Sequence, residues 1–517
     1  MNSYNLINAN FITMDEQMPF ASSLTINAGK IESINSINTN YKSIDLNGKV
    51  VIPGFIDAHY HLKNYGKRLN QLDLKNLKSI KEVVDLIQSH IKKINKGDWI
   101  LGFGWDQNLW VNKNFPISSI LDDKFPDNPI YLTRIDGHSA WVNNVAISKT
   151  QLNKKELNNI SGGTIINDCI MIDNAMSPFL SILPKDSLLN VSSWIKKAVG
   201  NTIQKGITGV HDAWQDYTTV KAIQDLIATN NFPLRCYGML ASSDDNLLDS
   251  FFNDGHFEND YLSIRSVKAF IDGALGSRGA ALHEPYTDDH SNCGLILISS
   301  EKFTDLAKKC YNANFQLNTH AIGDRGNDYV LNTYSNVLPH NNNKRWRIEH
   351  AQMVSDKDVL RFKSSNILPS MQPSHCTSDM KWLKDRLGEN RLSLISRWQT
   401  FINHGLKIPG GSDCPIETGN PIFEFYAAVT RQDHSGWPAG GWQPQEKINR
   451  LNALKMFTKW AAYGGFQEHK RGMLKINYDA DLTVLSKNIL EIDHEEILST
   501  TIIHTIVNGH FVYSKNN

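Results

Sequence analysis

His59 and His61 stand two residues apart in the run Phe55-Ile56-Asp57-Ala58-His59-Tyr60-His61. Side chains of an extended segment alternate faces with period two, so both imidazoles point the same way and can grip one metal ion. The pair alone is weak, because 18 histidines in 517 residues yield on the order of one such spacing by chance, as two surface histidines. Its weight comes from three further apolar runs that each end in a residue able to bind a divalent metal. They end in His320 (Gln316-Leu317-Asn318-Thr319-His320), His350 (Arg347-Ile348-Glu349-His350) and Asp413 (Gly410-Gly411-Ser412-Asp413). Each polar residue taken singly could merely cap its strand. Four imidazoles and one carboxylate at separate strand ends converge only if the strands close into a barrel, and such a nitrogen and oxygen set suits zinc or a related ion.

The elements that must position these residues are eight apolar runs, at 50–57, 207–212, 234–240, 264–272, 315–320, 346–350, 367–372 and 406–413. They alternate with helical patterns such as 300–312 and 356–364, which predicts an α/β fold, a (β/α)8 TIM-like barrel over 53–469. In that fold chemistry gathers at the C-terminal strand ends, where the polar residues fall. About 150 residues separate the first two runs, far more than a βα connection needs, so a large insertion is expected over 64–200. Within it 97–105 and 129–136 read as strands, 79–93 and 192–204 as helices. The two ends, 1–52 and 470–517, carry short alternating runs with Asn47-Gly48 and Asn508-Gly509 turns. Neither end can build a core alone, so the two are expected to pair into one small composite β-sandwich.

Composition narrows the function. Hydrophobic residues at 41% and charged residues at 21% are those of a globular protein. Lys plus Arg and Asp plus Glu both total 53, leaving no net field to attract nucleic acid or an anionic membrane. Six scattered cysteines without a Cys-x-x-Cys pair read as reduced thiols, Cys414 among them despite following Asp413. The first 20 residues lack a basic start with an apolar stretch behind it, and no run reaches the roughly 18 apolar residues of a membrane span, so a cytoplasmic protein is expected.

Several segments carry a family resemblance: Gly104-Trp105-Asp106, Asp136-Gly137-His138-Ser139, Asp272-Gly273-Ala274-Leu275-Gly276-Ser277-Arg278, His320-Ala321-Ile322-Gly323-Asp324, Arg347-Ile348-Glu349-His350-Ala351-Gln352 and Gly411-Ser412-Asp413. In this order they resemble the amidohydrolase superfamily, and within it the amidohydrolase-3 (YtcJ-like) branch, which includes N-substituted formamide deformylases. The resemblance implies a metal-dependent hydrolase that cleaves a C–N bond, amide or formamide, in a small-molecule substrate. It also implies a carbamylated lysine bridging two divalent ions, most simply zinc, with a single ion as the alternative. The matching lysine is Lys268, with His59, His61 and Asp413 on one ion and His320 and His350 on the other. Asp413, a ligand and a carboxylate at once, is the expected general acid/base for attack by a metal-activated hydroxide.

The resemblance further points to His138 as a donor to the developing oxyanion, and to Trp105, Asp106, Asp136 and Arg278 as substrate contacts. Arg278 has a plainer reading as an ion pair with Asp272. A deaminase or an ester or lactone hydrolase could use the same centre, although a deaminase would be expected to carry a Glu shortly after His320, where Ala321-Ile322-Gly323-Asp324 stands. A catalytically silent metal-binding regulator would be expected to have lost a ligand, and all six positions are filled. The resemblance is compatible with a homodimer.

Overall fold

The computed structural model describes residues 3–92, 94–134, 139–160, 163–184 and 186–515. Two compact units divide the chain: residues 1–65 with 195–517, and residues 66–194.

The first unit is built around seven parallel strands: β1 (Phe55–Tyr60), β2 (Ile207–Gln215), β3 (Arg235–Ala241), β4 (Leu262–Phe270), β5 (Gln316–Ala321), β6 (Arg347–His350) and β7 (Leu368–Ser370). They pair in chain order. The eighth run expected at 406–413 is not a regular strand. Pro409 has no N–H to give to a ladder, and Asp413 adopts the left-handed backbone region with φ 56°. The segment nonetheless closes the barrel through isolated parallel bridges, Met371 to Gly410 on one side and Tyr60 to Cys414 on the other. Three backbone hydrogen bonds fasten it to β1: Ala58 N to Gly410 O (2.9 Å), Asp413 N to His59 O (2.8 Å) and His61 N to Cys414 O (3.0 Å).

Register fixes what faces inward. Lys268 lies opposite Asn318, Phe270 opposite His320, His320 opposite Glu349, and Glu349 opposite Ser370. Partners in a parallel ladder point to the same face, so these residues stack in layers.

The chain ends pair with one another. Lys42–Pro53, which leads straight into β1, runs antiparallel to Leu482–Leu485, with Leu482 opposite Pro53 and Leu485 opposite Val50. The terminal strands form one connected sheet, in the order His510–Ser514, Ile502–Val507, Leu482–Leu485, Lys42–Pro53, Tyr4–Ile12, Leu24–Asn27 and Lys30–Ile34. Leu6, Phe11, Ile26 and Val51 from one end share an apolar cluster with Leu482, Val484 and Ile506 from the other. Asn508 and Gly509, both with positive φ, make the tight turn between the last two strands.

The second unit has its own six-stranded sheet, centred on Ile100–Trp105, Ile130–Arg134 and Ser139–Val142. Trp105, Leu132 and Trp141 lie in its core. All six cysteines are free thiols. Among the described residues no helix is long and apolar enough to cross a membrane.

Candidate metal centre

His59, His61, Lys268, His320, His350 and Asp413 come together at the C-terminal mouth of the barrel. The His59 ring lies 5.3 Å from His61 and 4.9 Å from His350, centroid to centroid, and His350 lies 4.5 Å from His320. Asp413 Oδ1 is 2.9 Å from His61 Nε2 and 3.5 Å from His59 Nε2, and Lys268 Nζ is also 3.5 Å from His59 Nε2. His59, His350 and Asp413 each bring a ligand atom within 4.8 Å of the others.

The orientation of each ring is set from behind. His59 Nδ1 is bonded to Glu349 Oε2 at 2.5 Å, His61 Nδ1 to the Ala213 carbonyl at 2.9 Å, and His350 Nδ1 to Gln372 Oε1 at 2.8 Å. A Nδ1–H held by an oxygen leaves the Nε2 lone pair free, which is how proteins prepare imidazoles for metals. His320 is turned the other way, its Nε2 facing Gly273 O (3.4 Å) and Asp272 Oδ1 (3.5 Å), which leaves Nδ1. Four buried or nearly buried imidazoles, three with one nitrogen reserved and His61 with its Nε2 against the Asp413 carboxylate, fit a divalent metal centre.

Electrostatics agree with this fit. Burial drives His59 down to about 4 and His320 down to about 3, and pushes His350 in the same direction, so all three rings are neutral at neutral pH, as metal ligation requires. Burial also brings the Lys268 ammonium down to about 8. Burial alone would raise the Asp413 carboxyl, but the His61 hydrogen bond and the neighbouring imidazoles hold it well below the usual carboxylate range. Glu349 is likewise pushed up by burial and brought well down by Arg347, at 2.8 Å, and His59.

The sign of a pH effect follows. Between about 6.5 and 4 the unfolded chain binds protons on these histidines and the folded, metal-free chain does not. The metal-stripped protein is therefore expected to lose stability as pH falls through that window, by about 1.4 kcal/mol per pH unit for each histidine. Thermal unfolding in chelator from pH 7.5 to 5 measures it; an unfolding midpoint that rises on acidification would contradict the burial of neutral rings.

Backbone conformation contributes to the convergence. Glu349 and His350 are consecutive and would face opposite sides of a regular strand. His350 (φ 73°) and Ala351 (φ 42°) leave the strand in the left-handed region, and both side chains reach the centre. Non-glycine residues there cost about 1 kcal/mol or more, a strain typical of functional sites. Asp57 ties β1 to the closing segment, its Oδ1 accepting from His59 N and Ser412 N at 3.1 Å and its Oδ2 from Ser412 Oγ at 2.6 Å. Gly411 packs so closely that a Cβ would fall 2.5 Å from His59 N and 2.9 Å from Asp57 Oδ1. Gly411→Ala is expected to push His59 and Asp413 apart and to lower metal affinity by at least about tenfold, as loss of ligand support does elsewhere; metal titration of the variant checks this.

The other expected site residues among those described have local partners. Trp105 is fully buried in the core of the second unit, its Nε1 donating to Leu132 O and its ring against Trp110 and Trp141. Asp106 caps the short helical turn Gln107–Leu109 and pairs with Arg134 at 2.9 Å. Arg278 pairs with Asp288 through two 3.0 Å hydrogen bonds, in place of the pairing expected with Asp272. Asp272 instead accepts the backbone N–H groups of Ala281, Ile322 and Gly323 and braces the loops after β4 and β5. Asp136 and His138 lie outside the described residues.

Three residues of the centre are additions: Glu349 behind His59, Gln372 behind His350, and His375, whose Nε2 is 3.8 Å from Asp413 Oδ2. The sequence signal for the last two is Gln372-Pro373-Ser374-His375, directly after the seventh apolar run.

A nearly closed parallel barrel with this donor set at its C-terminal mouth defines a metal-dependent hydrolase. The amidohydrolase family model Amidohydro_3 matches residues 42–513, and the chain belongs to that family. It is similar to "Putative amidohydrolase YtcJ" of Bacillus subtilis (strain 168), 31% identical over 92% of this chain and 91% of the relative. It is also similar to "N-substituted formamide deformylase" of Arthrobacter pascens, 23% identical over 99% and 98% of the two chains. Among solved structures, an "uncharacterized metal-dependent hydrolase" from Pyrococcus furiosus superposes with TM-score 0.80 at 27% identity, covering 95% of this chain and 100% of that one.

Proposed function

We propose that the protein hydrolyses a non-peptide C–N bond, an amide or formamide, in a small molecule, at a centre of two divalent ions, zinc first, with carbamylated Lys268 between them. The observation that supports this reading is the gathering of four imidazoles, each oriented by a partner behind it, around Asp413 and Lys268. His59, His61 and Asp413 would hold one ion and His320 and His350 the other. When bound, such ions polarise a carbonyl and make a water acidic enough to attack it at neutral pH.

Asp413 has the position and charge to take the proton of the attacking water and to return it to the leaving nitrogen as the C–N bond breaks. Lys268 is wholly buried and brought down to about 8, so a reactive neutral amine is accessible near neutral pH, which favours carbamate formation over a retained ammonium. A cavity of ≈ 420 Å³ lined by Ser374, Thr377, Lys381, Glu417, Phe423 and Asp433 lies along the segments that follow β7 and Asp413. Its hydroxyls and charges suit a polar substituent. The name of the Arthrobacter pascens relative makes N-formyl amines the first substrates to try.

The test combines metal analysis of the purified protein with a hydrolysis screen of N-formyl and N-acyl amines. Bound divalent metal and amine release are expected; metal-loaded protein that releases no amine from any of them would overturn the C–N assignment. Growth on 13C-labelled bicarbonate is expected to yield a carbamate carbon signal that Lys268→Ala removes. A single ion in fully loaded protein would overturn the bridge.

A further inference from the structure

We propose that His375 is a catalytic residue that donates a hydrogen bond from Nε2 to the substrate oxygen on which negative charge develops. The proposal rests on the hydrolytic reading above and deepens it. His375 lies on α1 (Pro373–Asp379), the helix that follows β7. Its ring stacks on His350, with centroids 5.9 Å apart and planes 22° apart. Its Nε2 is shielded from solvent and has no hydrogen-bond partner among the described residues. A buried polar atom without a partner is uncommon and costs free energy, so it calls for an occupant.

Hydrogen bonds of the flanking residues hold the start of this helix in place. Gln372 is engaged with His350 Nδ1, and Ser374 N donates to Glu424 Oε2 at 2.8 Å. Glu424 is itself buried on α2 (Pro421–Thr430), so the first turn of α1 is held in place from below. Nε2 stands 3.8 Å from Asp413 Oδ2, too far for a direct hydrogen bond and close enough for one oxygen to lie within hydrogen-bond reach of both. Asp413 is where a proton is handled, and a donor fixed beside it meets a carbonyl oxygen as it gains charge. This gives the described part of the site a donor of the kind that the sequence suggested only through His138.

The test uses methylphosphonate, a small tetrahedral anion, titrated calorimetrically into the full-length, metal-loaded protein. Wild type is expected to bind it, and His375→Ala to bind about 10- to 100-fold more weakly at unchanged metal content, the effect of one hydrogen bond to a charged oxygen. His375→Gln, which can place an N–H near the same point, is expected to recover part of the affinity. Should the alanine variant not fold, the comparison of His375→Gln with His375→Leu carries the test. Equal affinity in wild type and His375→Ala, no binding to wild type, or loss of metal on substitution would each overturn the proposal, the last by making His375 a ligand. Failure of the C–N reading shows separately, as intact probe binding without amine release.

Discussion

Asp413→Asn is expected to reduce amide or formamide turnover by about 10³- to 10⁴-fold, the upper range for loss of a general acid/base. The substitution conserves volume and keeps an oxygen toward the imidazoles, so the backbone bonds of residues 408–414 to β1 persist. What disappears is an anion held well below its ordinary pKa by His61, His59 and His350 against the cost of burial. An amide has no comparable affinity for a proton. Rate measurements on metal-loaded variant and wild type, with metal content determined on the same samples, separate the chemical effect from a lost ligand. A variant within tenfold of wild type at equal metal content would remove Asp413 from the proton transfers.

Glu349→Ala has the largest expected effect on stability, a loss of about 3–5 kcal/mol, as for other buried pairs broken on one side. Arg347 and Glu349 are both fully buried, 2.8 Å apart, and Arg347 would keep its charge with the nearest carboxylate gone. The same change frees His59 Nδ1, which lowers metal affinity by about 10- to 100-fold when such a partner is lost. Glu349→Gln keeps an acceptor for His59 and removes only the charge, so it is expected to destabilise the protein with less loss of metal affinity. Denaturant unfolding and metal titration of both variants read the two consequences apart. Wild-type stability in Glu349→Ala would mean that Arg347 finds its compensation elsewhere, for instance at His211 Nδ1, 2.9 Å away.

The convergence of the six candidate ligands is legible in the sequence because strand alternation and strand-end position are local properties. His59 and His61 share a face by period two, and β4, β5 and β6 end near Lys268, His320 and His350 where the apolar runs stop. The support behind the ligands is less legible. A glutamate adjacent to a ligand histidine should face away from it, and only the left-handed backbone at His350 brings Glu349 and His350 to one centre. Gln372 is visible as a strand end, but an amide is not an expected metal ligand and its role lies in a hydrogen bond to another strand. His375 sits beyond the strand on a helix whose direction the sequence does not specify.

The partners of the motif residues are not legible for a related reason. Trp105 and Asp106 lie in a segment that resembles a family motif, yet resemblance carries no information on burial. A tryptophan within a strand of the second unit finds its partners in that unit's own core. Arg278 stands at a barrel-loop position suited to substrate, but Asp288, ten residues on, is at hand to neutralise it. The closing segment at 406–413 has the apolar content of a strand, while Pro409 and the turn at Asp413 limit it to two bridges, enough to place one carboxylate among four histidines.

The most direct test of the account is the rate of amine release from an N-formyl amine by protein stripped of metal, before and after addition of Zn²⁺. The account predicts negligible release from the stripped protein, recovery on adding the ion, and no recovery in a His59→Asn variant. Release that persists in verified metal-free protein, or that returns equally in the variant, would contradict it.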